Sequence, residues 1–236
     1  MNKLNCLSNN ALKIIACVSM FLDHLGFLVL PEVPLLRILG RIAFPIFAFM
    51  LAEGCFFTHN KLKHFLMILA FGVVMQIGMY LFSGYTRFNI FLVFSASIVL
   101  IYIFDLIYKA TKEQNGRLCS LAVVTFVAVS VGLCSLELNT WLFYDNYSLY
   151  GIFTPVLLYI LRLTLPKFQK GGMLIALAIT SLIYAMATDP VMYYLFLAIP
   201  LLALYSGKRG KINMKYFFYV FYPAHFVFLE ILAQIL

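Results

Sequence analysis

Two apolar segments near the start of the chain contain an unusual set of ionisable residues. The segments read KIIACVSMFLDHLGFLVL over residues 13–30 and PLLRILGRIAFPIFAFMLAEG over residues 34–54, with a short turn between them. Ionisable groups inside a membrane segment are costly, so they normally face a cavity, a partner or a substrate. We therefore predict an active site in this hairpin, whose ionisable residues include Lys13, Asp23, His24, Arg37, Arg41 and Glu53.

The composition of the whole chain excludes a soluble domain. The 236 residues are 64% hydrophobic and only 11% charged, whereas about a quarter of an ordinary soluble domain is charged. Apolar runs of about 17 to 22 residues are long enough to cross a bilayer. Such runs fall at 9–30, 34–57, 63–83, 89–109, 118–136, 148–165, 172–188, 190–206 and 214–235. We predict an all-α, polytopic transmembrane helix bundle of about nine helices, forming one domain over residues 1–236.

The distribution of basic residues predicts how the chain is oriented in the membrane. Lys and Arg residues cluster at every second connection, and the positive-inside rule places those connections in the cytoplasm. The amino terminus is then cytoplasmic and the carboxyl terminus lies outside. The net charge of +8 therefore reflects topology, and we expect membrane lipids rather than nucleic acid as a partner. Arg37, Arg41 and Arg87 fall on the outer side, where this rule does not explain them.

Several other polar residues have simple structural interpretations. The five cysteines have no CxxC spacing and lie in or beside apolar runs, which is typical of packing residues and predicts no metal site. Asp105 lies four residues before Lys109, which favours an ordinary ion pair. We expect His59 and His64 in a solvated loop and Arg162 at a cytoplasmic boundary.

Helical geometry relates the polar residues of the hairpin to one another. Lys13 and His24 are eleven residues apart, so they share a face and lie about 16 Å apart along the axis. His24 and Arg41 are each seven residues from the prolines that bound the turn, which places them at one depth. Arg37 and Arg41 share a face. Asp23 points about 100° away from His24, so it can face the second helix and pair with Arg41, or it can orient a histidine elsewhere in the bundle.

Each polar side chain also has a purely structural alternative. A lone intramembrane histidine, such as His24 or His225, can bridge two helices by hydrogen bonding. Glu53 can neutralise an arginine, and Arg87 can pair with an acid or a backbone carbonyl.

A second basic feature lies in a predicted cytoplasmic connection. The sequence SGKRGK over residues 206–211 places Lys208, Arg209 and Lys211 close together between two glycines. Glycines let the backbone bend closely around an anion, and three cations in four residues suit a polyphosphate. Anionic lipid headgroups are the alternative ligand.

Taken together, these residues resemble the TraX family. The resemblance covers the chain from end to end, and three regions carry it: Asp23-His24, Arg37 to Gly54, and Lys208-Arg209-Gly210 to Tyr222-Pro223-Ala224-His225. TraX-like proteins are similar to a superfamily of multi-pass membrane acyltransferases that includes the acyltransferase-3 enzymes and the heparan glucosaminide acetyltransferases. Those enzymes pass acetyl groups from cytoplasmic acetyl-CoA to an acceptor at the other membrane face. Their signature of a basic residue, ten residues and a functional histidine fits Lys13 and His24.

The resemblance implies an acetyl-CoA-dependent N- or O-acetyltransferase in the plasma membrane of a bacterium. Acetyl-CoA is the expected acyl donor, and we expect no metal. The acceptor stays open between the amino terminus of a peptide such as pilin, that of a lipoprotein, an envelope sugar and a lipid-linked amine.

Specific roles for this chain follow from that implied activity. We expect His24 as general base, with Asp23, Arg37 and Arg41 in the catalytic site. The expected acetyl-CoA-binding residues are Lys13, Lys208, Arg209 and Lys211. The expected substrate-contacting or supporting residues are Glu53, Tyr222, His225 and Arg87. Direct transfer and an acyl-histidine intermediate both stay open.

Two other functions also stay open. A proton-coupled transporter or flippase could use the buried charges as a relay, and an assembly factor could lack catalysis altogether. The transporter or flippase accounts for the buried charges but not for the basic 206–211 connection or the family resemblance.

Overall fold

The computed structural model describes residues 6–84, 86–139, 148–210 and 214–235, and within these ranges every regular element is helical. The α-helices are α1 (Asn9–Leu28), α2 (Pro34–Gly40), α3 (Ala43–Phe57), α4 (Lys61–Ser83), α5 (Ile90–Lys112), α6 (Gly116–Asn139), α7 (Ser148–Thr164), α8 (Gln169–Ala187), α9 (Ala198–Ala203) and α10 (Lys215–Ile235), and a 3₁₀ helix covers Pro190–Leu197. Counting α2 with α3, and the 3₁₀ helix with α9, gives nine apolar helical segments over the described ranges. The all-α prediction of about nine helices is confirmed.

Six of these segments are long and apolar enough to cross a membrane. They are Asn9–Leu28, Pro34–Phe57, Lys61–Phe82, Ile90–Lys112, Gly116–Leu136 and Gln169–Ala187. Three shorter apolar helices cover Leu149–Thr164, Pro190–Ala203 and Val220–Ile235. The orientation of the two termini stays a prediction.

Two of the predicted helices are interrupted. The run over residues 34–57 breaks at Arg41 and Ile42, between α2 and α3. Pro45 lies in the first turn of α3, where a backbone N–H has no helical partner and its absence costs nothing. In one continuous helix, the Arg41 carbonyl would have no donor, because Pro45 lacks the N–H that would bond it. The run over residues 190–206 begins as a 3₁₀ helix, capped by the Asp189 side chain, which accepts from the Val191 N–H at 2.8 Å.

The described chain divides into two compact units. The terminal unit contains Met1–Met50 and Lys170–Leu236, and the central unit contains Leu51–Gln169. In the terminal unit, α1 packs against α2 and α10, and the 3₁₀ helix packs against α2 and α9. In the central unit, α5 packs against α4, α6 and α7. The single domain predicted over residues 1–236 stays a prediction.

Glycines bring α1 and α2 close together in the terminal unit. A Cβ atom on Gly26 would lie 2.8 Å from Leu36 Cβ, and one on Gly40 would lie 2.6 Å from Asp23 Cα. Small residues at a membrane helix interface allow this kind of close backbone approach. The packing holds Asp23 directly against the end of α2.

A proline shapes the central unit. Pro155 lies inside α7, and because it has no N–H it cannot bond the Gly151 carbonyl. Ser97 of α5 is fully buried, and its Oγ donates to the Ile152 carbonyl at 2.9 Å and lies 3.5 Å from the Gly151 carbonyl. A side chain of α5 therefore supplies a partner where the helix ladder of α7 is interrupted.

Candidate active site

Asp23 lies between two arginines in the terminal unit. Its Oδ2 is 3.0 Å from Arg37 Nη1, and its Oδ1 accepts from Arg41 Nη2. The side chain of Arg41 is 4% exposed, that of Asp23 16% and that of Arg37 29%. Of the two alternatives for Asp23, the structure has the pairing with Arg41, and the two arginines share a face as predicted. The carboxylate of Asp23 therefore contacts both guanidinium groups.

The end of α2 holds the two arginines in place. Arg41 is the C-terminal cap of α2, and its Nε donates to the Arg37 carbonyl at 3.3 Å. Arg37 Nη1 also donates to the backbone carbonyl of Asp23 at 3.2 Å, and its guanidinium lies 5.1 Å from the centre of the Phe27 ring. Cations are favoured at a helix C-terminus, where the unpaired carbonyls concentrate negative charge. The hydrogen bonds at the end of α2 and the attraction between its carbonyls and the arginine charges therefore favour the same positions for Arg37 and Arg41.

His24 and His225 contact each other across α1 and α10. His24 Nδ1 and His225 Nε2 are 2.9 Å apart, and the two ring planes differ by 6°. His225 is 4% exposed, while His24 is partly accessible. Arg37 and Arg41 lie within electrostatic range of the His24 ring. The structure thus brings together five residues that the sequence indicated: Asp23, His24, Arg37, Arg41 and His225.

The sequence did not predict that His24 and His225 would touch. Each histidine taken alone has the structural alternative of bridging two helices. Their contact spans 201 residues of chain, and helical periodicity carries no information about which helices become neighbours. The one available signal is the presence of two lone intramembrane histidines, because such a residue commonly bridges two helices by hydrogen bonding.

Aromatic side chains surround His225. The Tyr222 ring lies edge-on to it, with centroids 5.3 Å apart, and the Phe221 ring is nearly parallel to it at 5.2 Å. Its Nδ1 lies 3.0 Å from the Phe221 carbonyl. Tyr222, predicted as a supporting residue, is therefore in contact with the histidine pair through His225.

The basic connection packs against the start of α1. The N–H groups of Asn9 and Asn10 donate to the carbonyls of Lys208 and Arg209 at 2.8 and 3.2 Å. Gly207 and Gly210 have φ values of +73° and +100°, so this path requires glycine or a strained residue. The loop carbonyls therefore take two N–H groups at the start of α1, which are then not available to an anion.

Three of the four predicted acetyl-CoA-binding residues lie at this end of the terminal unit. Lys208 and Arg209 are exposed. Lys13 Nζ lies 5.4 Å from the centre of the Phe218 ring, and its charge is within electrostatic range of Arg209. Lys211 lies outside the described residues.

Glu53 and Arg87 belong to the central unit, where each has partners of its own. Glu53 is 4% exposed and forms an ion pair with Arg162. The Arg162 guanidinium also lies 4.4 Å from the Phe56 ring centre. The Arg87 carbonyl accepts from Gln76 Nε2 at 2.9 Å. Arg162 lies in the last turn of α7, and its buried side chain pairs with Glu53. Its position at a cytoplasmic boundary stays a prediction.

A polar cluster in the central unit corrects another expectation. His64 lies in α4 rather than in a solvated loop, and its Nδ1 is 2.9 Å from the Tyr102 hydroxyl. Asn60 caps α4 at Lys61, so His64 falls in the first turn of the helix. The predicted pair of Asp105 with Lys109 is confirmed at 3.6 Å.

Asp105 has two further partners in this cluster. Lys61 forms an ion pair with Asp105 Oδ2, and the Tyr159 hydroxyl donates to Oδ1 at 3.1 Å.

Over the described part of the chain, no three His, Cys, Asp or Glu residues are arranged to hold a metal ion.

Comparisons with known proteins were consistent along most of the chain. A family model described as TraX protein matches residues 8–233. A probable fimbrial assembly protein FimC, serogroup H1, of Dichelobacter nodosus is 27% identical over 244 residues, which cover 92% of each chain. An uncharacterised protein, RP591, of Rickettsia prowazekii (strain Madrid E) is 38% identical over 66 residues, covering 28% of this chain and 25% of that protein. No solved structure matches.

Proposed function

The chain belongs to the TraX family, and from that premise we propose that it is an integral membrane acyltransferase. It moves an acetyl group from cytoplasmic acetyl-CoA to an amine or hydroxyl acceptor at or across the membrane. The observation that supports this proposal most is the histidine pair. His24, partly accessible, is 2.9 Å from the buried His225 and beside two arginines. A general base and cationic groups in one place are what acyl transfer requires.

The donor suits the basic end of α1. Acetyl-CoA has an anionic nucleotide head on a long, thin arm that ends in a thioester. Lys13, Lys208 and Arg209 would bind the phosphates, together with Lys211, two residues after Arg209. His24 lies eleven residues further along α1 than Lys13, about 16 Å along the axis, so the arm would extend towards His24.

The proposed reaction is a thioester aminolysis or alcoholysis. His24 accepts a proton from the acceptor as its nitrogen or oxygen attacks the thioester carbonyl carbon. The new bond to carbon forms, the carbon–sulfur bond breaks, and the CoA thiol leaves with a proton. Arg41 and Arg37 stabilise the oxyanion or bind an anionic acceptor, and Asp23 holds both guanidinium groups in place.

The acetyl group could also pass through His24 itself. In that route the imidazole attacks the thioester, CoA leaves, and the acceptor then attacks the acetyl-histidine. Both routes require the same two substrates and the same histidine.

The relative from Dichelobacter nodosus, named a probable fimbrial assembly protein, supports a peptide acceptor. We propose the amino terminus of a pilin-like protein as the first acceptor to test, with a lipoprotein amino terminus and an envelope sugar as the others. The protein would then be located in a bacterial cell membrane as a multi-pass protein.

A transporter or flippase is the second candidate. The observation that favours it is the Asp23–Arg37–Arg41 cluster, because buried charges within a membrane segment commonly mark an ion or proton path. A relay of this kind would make solute movement depend on a proton gradient. Direct acyl transfer requires only the two substrates.

The experiment uses purified protein in nanodiscs, tritiated acetyl-CoA and an extract of bacterial envelope as acceptor pool. The proposal predicts that label reaches the extract only when the protein is present, with no proton gradient imposed. Saturable solute uptake into vesicles that collapses with the gradient, without any acetylated product, would favour the transporter.

The donor end provides a separate prediction. We expect Lys208→Ala with Arg209→Ala to raise the Kd for acetyl-CoA roughly tenfold, because each exposed ion pair is worth up to about 1 kcal/mol. Lys112→Ala, which removes another exposed cation at the end of α5, is the matched control. Equal binding by the double variant and the control would exclude these residues as the phosphate site.

A further inference from the structure

We propose that His225 is a positioning residue that fixes the tautomer of His24 and leaves His24 Nε2 as the nitrogen that accepts the proton. The inference rests on the proposed function only for the statement that His24 acts as a base. The arrangement of hydrogen atoms itself follows from the contacts in the terminal unit.

The assignment begins at the Phe221 carbonyl, which can only accept a hydrogen bond. His225 Nδ1 lies 3.0 Å from that oxygen, so Nδ1 carries the proton. His225 is 4% exposed, and burial of a charge is costly, so the neutral ring with one N–H is the form that fits the site. Its Nε2 is then a hydrogen-bond acceptor.

The position of the proton on His24 follows in the same way. Because His225 Nε2 accepts, the His24 nitrogen 2.9 Å away must donate, and that nitrogen is Nδ1. A neutral His24 ring that carries its proton on Nδ1 has a lone pair on Nε2. The contact with His225 therefore decides which end of the His24 ring can act as a base.

Packing keeps the His225 ring in this orientation. Its Nδ1 bonds the carbonyl one turn earlier in α10, and the rings of Phe221 and Tyr222 lie 5.2 and 5.3 Å from it. Phe21 of α1 and Phe228 of α10 stack at 6.2 Å and join the same two helices. Since the His225 ring is held on several sides, the His24 ring is oriented by a rigid partner.

The arrangement also serves the protonated state of His24. When Nε2 accepts a proton from the acceptor, both ring nitrogens carry hydrogen, and Nδ1–H stays donated to His225 Nε2. A buried hydrogen-bond partner stabilises the imidazolium that forms, and it does so without moving.

Three substitutions at position 225 separate this role from simple space filling. His225→Gln keeps an acceptor oxygen close to the original Nε2 position. His225→Asn places its amide nearer the original Nδ1 and loses the acceptor, and His225→Leu loses all hydrogen bonding. We expect kcat to fall roughly 10- to 100-fold in the Asn and Leu variants, with KM for acetyl-CoA unchanged, and largely to recover in the Gln variant.

Nitrogen-15 NMR of histidine-labelled protein in nanodiscs reads the tautomer without any reaction. The chain has four histidines, and spectra of His24→Ala and His225→Leu identify the two signals of interest. We expect His24 in the wild type to carry its proton on Nδ1, and the same tautomer in His225→Gln. In His225→Asn, we expect a mixture of tautomers.

The two parts of the account fail in distinguishable ways. A proton on His24 Nε2 in the wild type, or equal kcat values for the Gln and Leu variants, would overturn the inference even if acetyl transfer is found. If no acceptor is acetylated but the NMR pattern is as expected, the tautomer assignment stands and the proposed function fails.

Discussion

Asp23 neutralises one of two neighbouring arginines, and it is also next to the candidate base, His24. Arg41 is 4% exposed and Asp23 contacts both guanidinium groups. A buried ion pair adds little net stability, but removal of one partner leaves an uncompensated charge. Structural need alone is thus enough to keep an acid at this position.

We therefore expect Asp23→Ala to destabilise the protein by about 3–5 kcal/mol. Thermal unfolding in detergent, followed by light scattering, measures the effect. Glu32→Ala, in the exposed turn between α1 and α2, is the matched control and should leave the transition unchanged. Identical transitions in both variants would show that Asp23 does not balance the arginines.

At the scale of helices, the sequence indicated the elements much better than their interruptions. Hydropathy predicted each of the nine apolar segments closely, because the length of a membrane span is set by the bilayer. It did not predict the break at Arg41 and Ile42, or the 3₁₀ geometry of residues 190–197, since those depend on how proline residues and caps use backbone N–H groups. The break matters, because it places Arg41 at the C-terminus of α2.

Helix periodicity also predicted contacts within the hairpin but not those between distant helices. Asp23 and Arg41 lie on adjacent helices joined by a short turn, so their pairing could be predicted as one of two alternatives. Glu53 with Arg162, and His24 with His225, join helices that are far apart in the chain. Only tertiary packing brings such residues together, and a single sequence does not encode it in any local pattern.

The contact between α1 and α2 provides a prediction at this scale. Gly40→Ala would place a Cβ atom 2.6 Å from Asp23 Cα, so the helices must separate, and we expect a loss of about 1–3 kcal/mol in stability. Gly132→Ala in α6 meets no atom within 4 Å and should be neutral or slightly stabilising. Thermal unfolding of the two variants checks this. A lower transition for Gly132→Ala than for Gly40→Ala would contradict the close approach.

At the scale of the whole molecule, the proposed reaction requires a particular orientation. The donor acetyl-CoA is cytoplasmic, so the basic connection at residues 206–210 must face the cytoplasm. The same orientation places the turn between α1 and α2 outside. The positive-inside rule gives this arrangement from the distribution of Lys and Arg.

Cysteine labelling in intact cells tests the orientation. Glu32 and Lys112 are both exposed, and the predicted topology places them on opposite faces. We expect Glu32→Cys to react with a membrane-impermeant maleimide in intact cells, and Lys112→Cys to react only after permeabilisation. The reverse pattern would place the basic connection outside, away from cytoplasmic acetyl-CoA.

The most direct test of the central claim is the rate of acetyl transfer by wild type and His24→Ala, with acetyl-CoA binding measured on the same nanodisc samples. A general base contributes roughly 10²- to 10⁴-fold to a rate, so we predict that His24→Ala loses at least about 100-fold in turnover while its Kd for acetyl-CoA is unchanged. Full turnover in His24→Ala would contradict the account, because the histidine pair would then have no part in the chemistry.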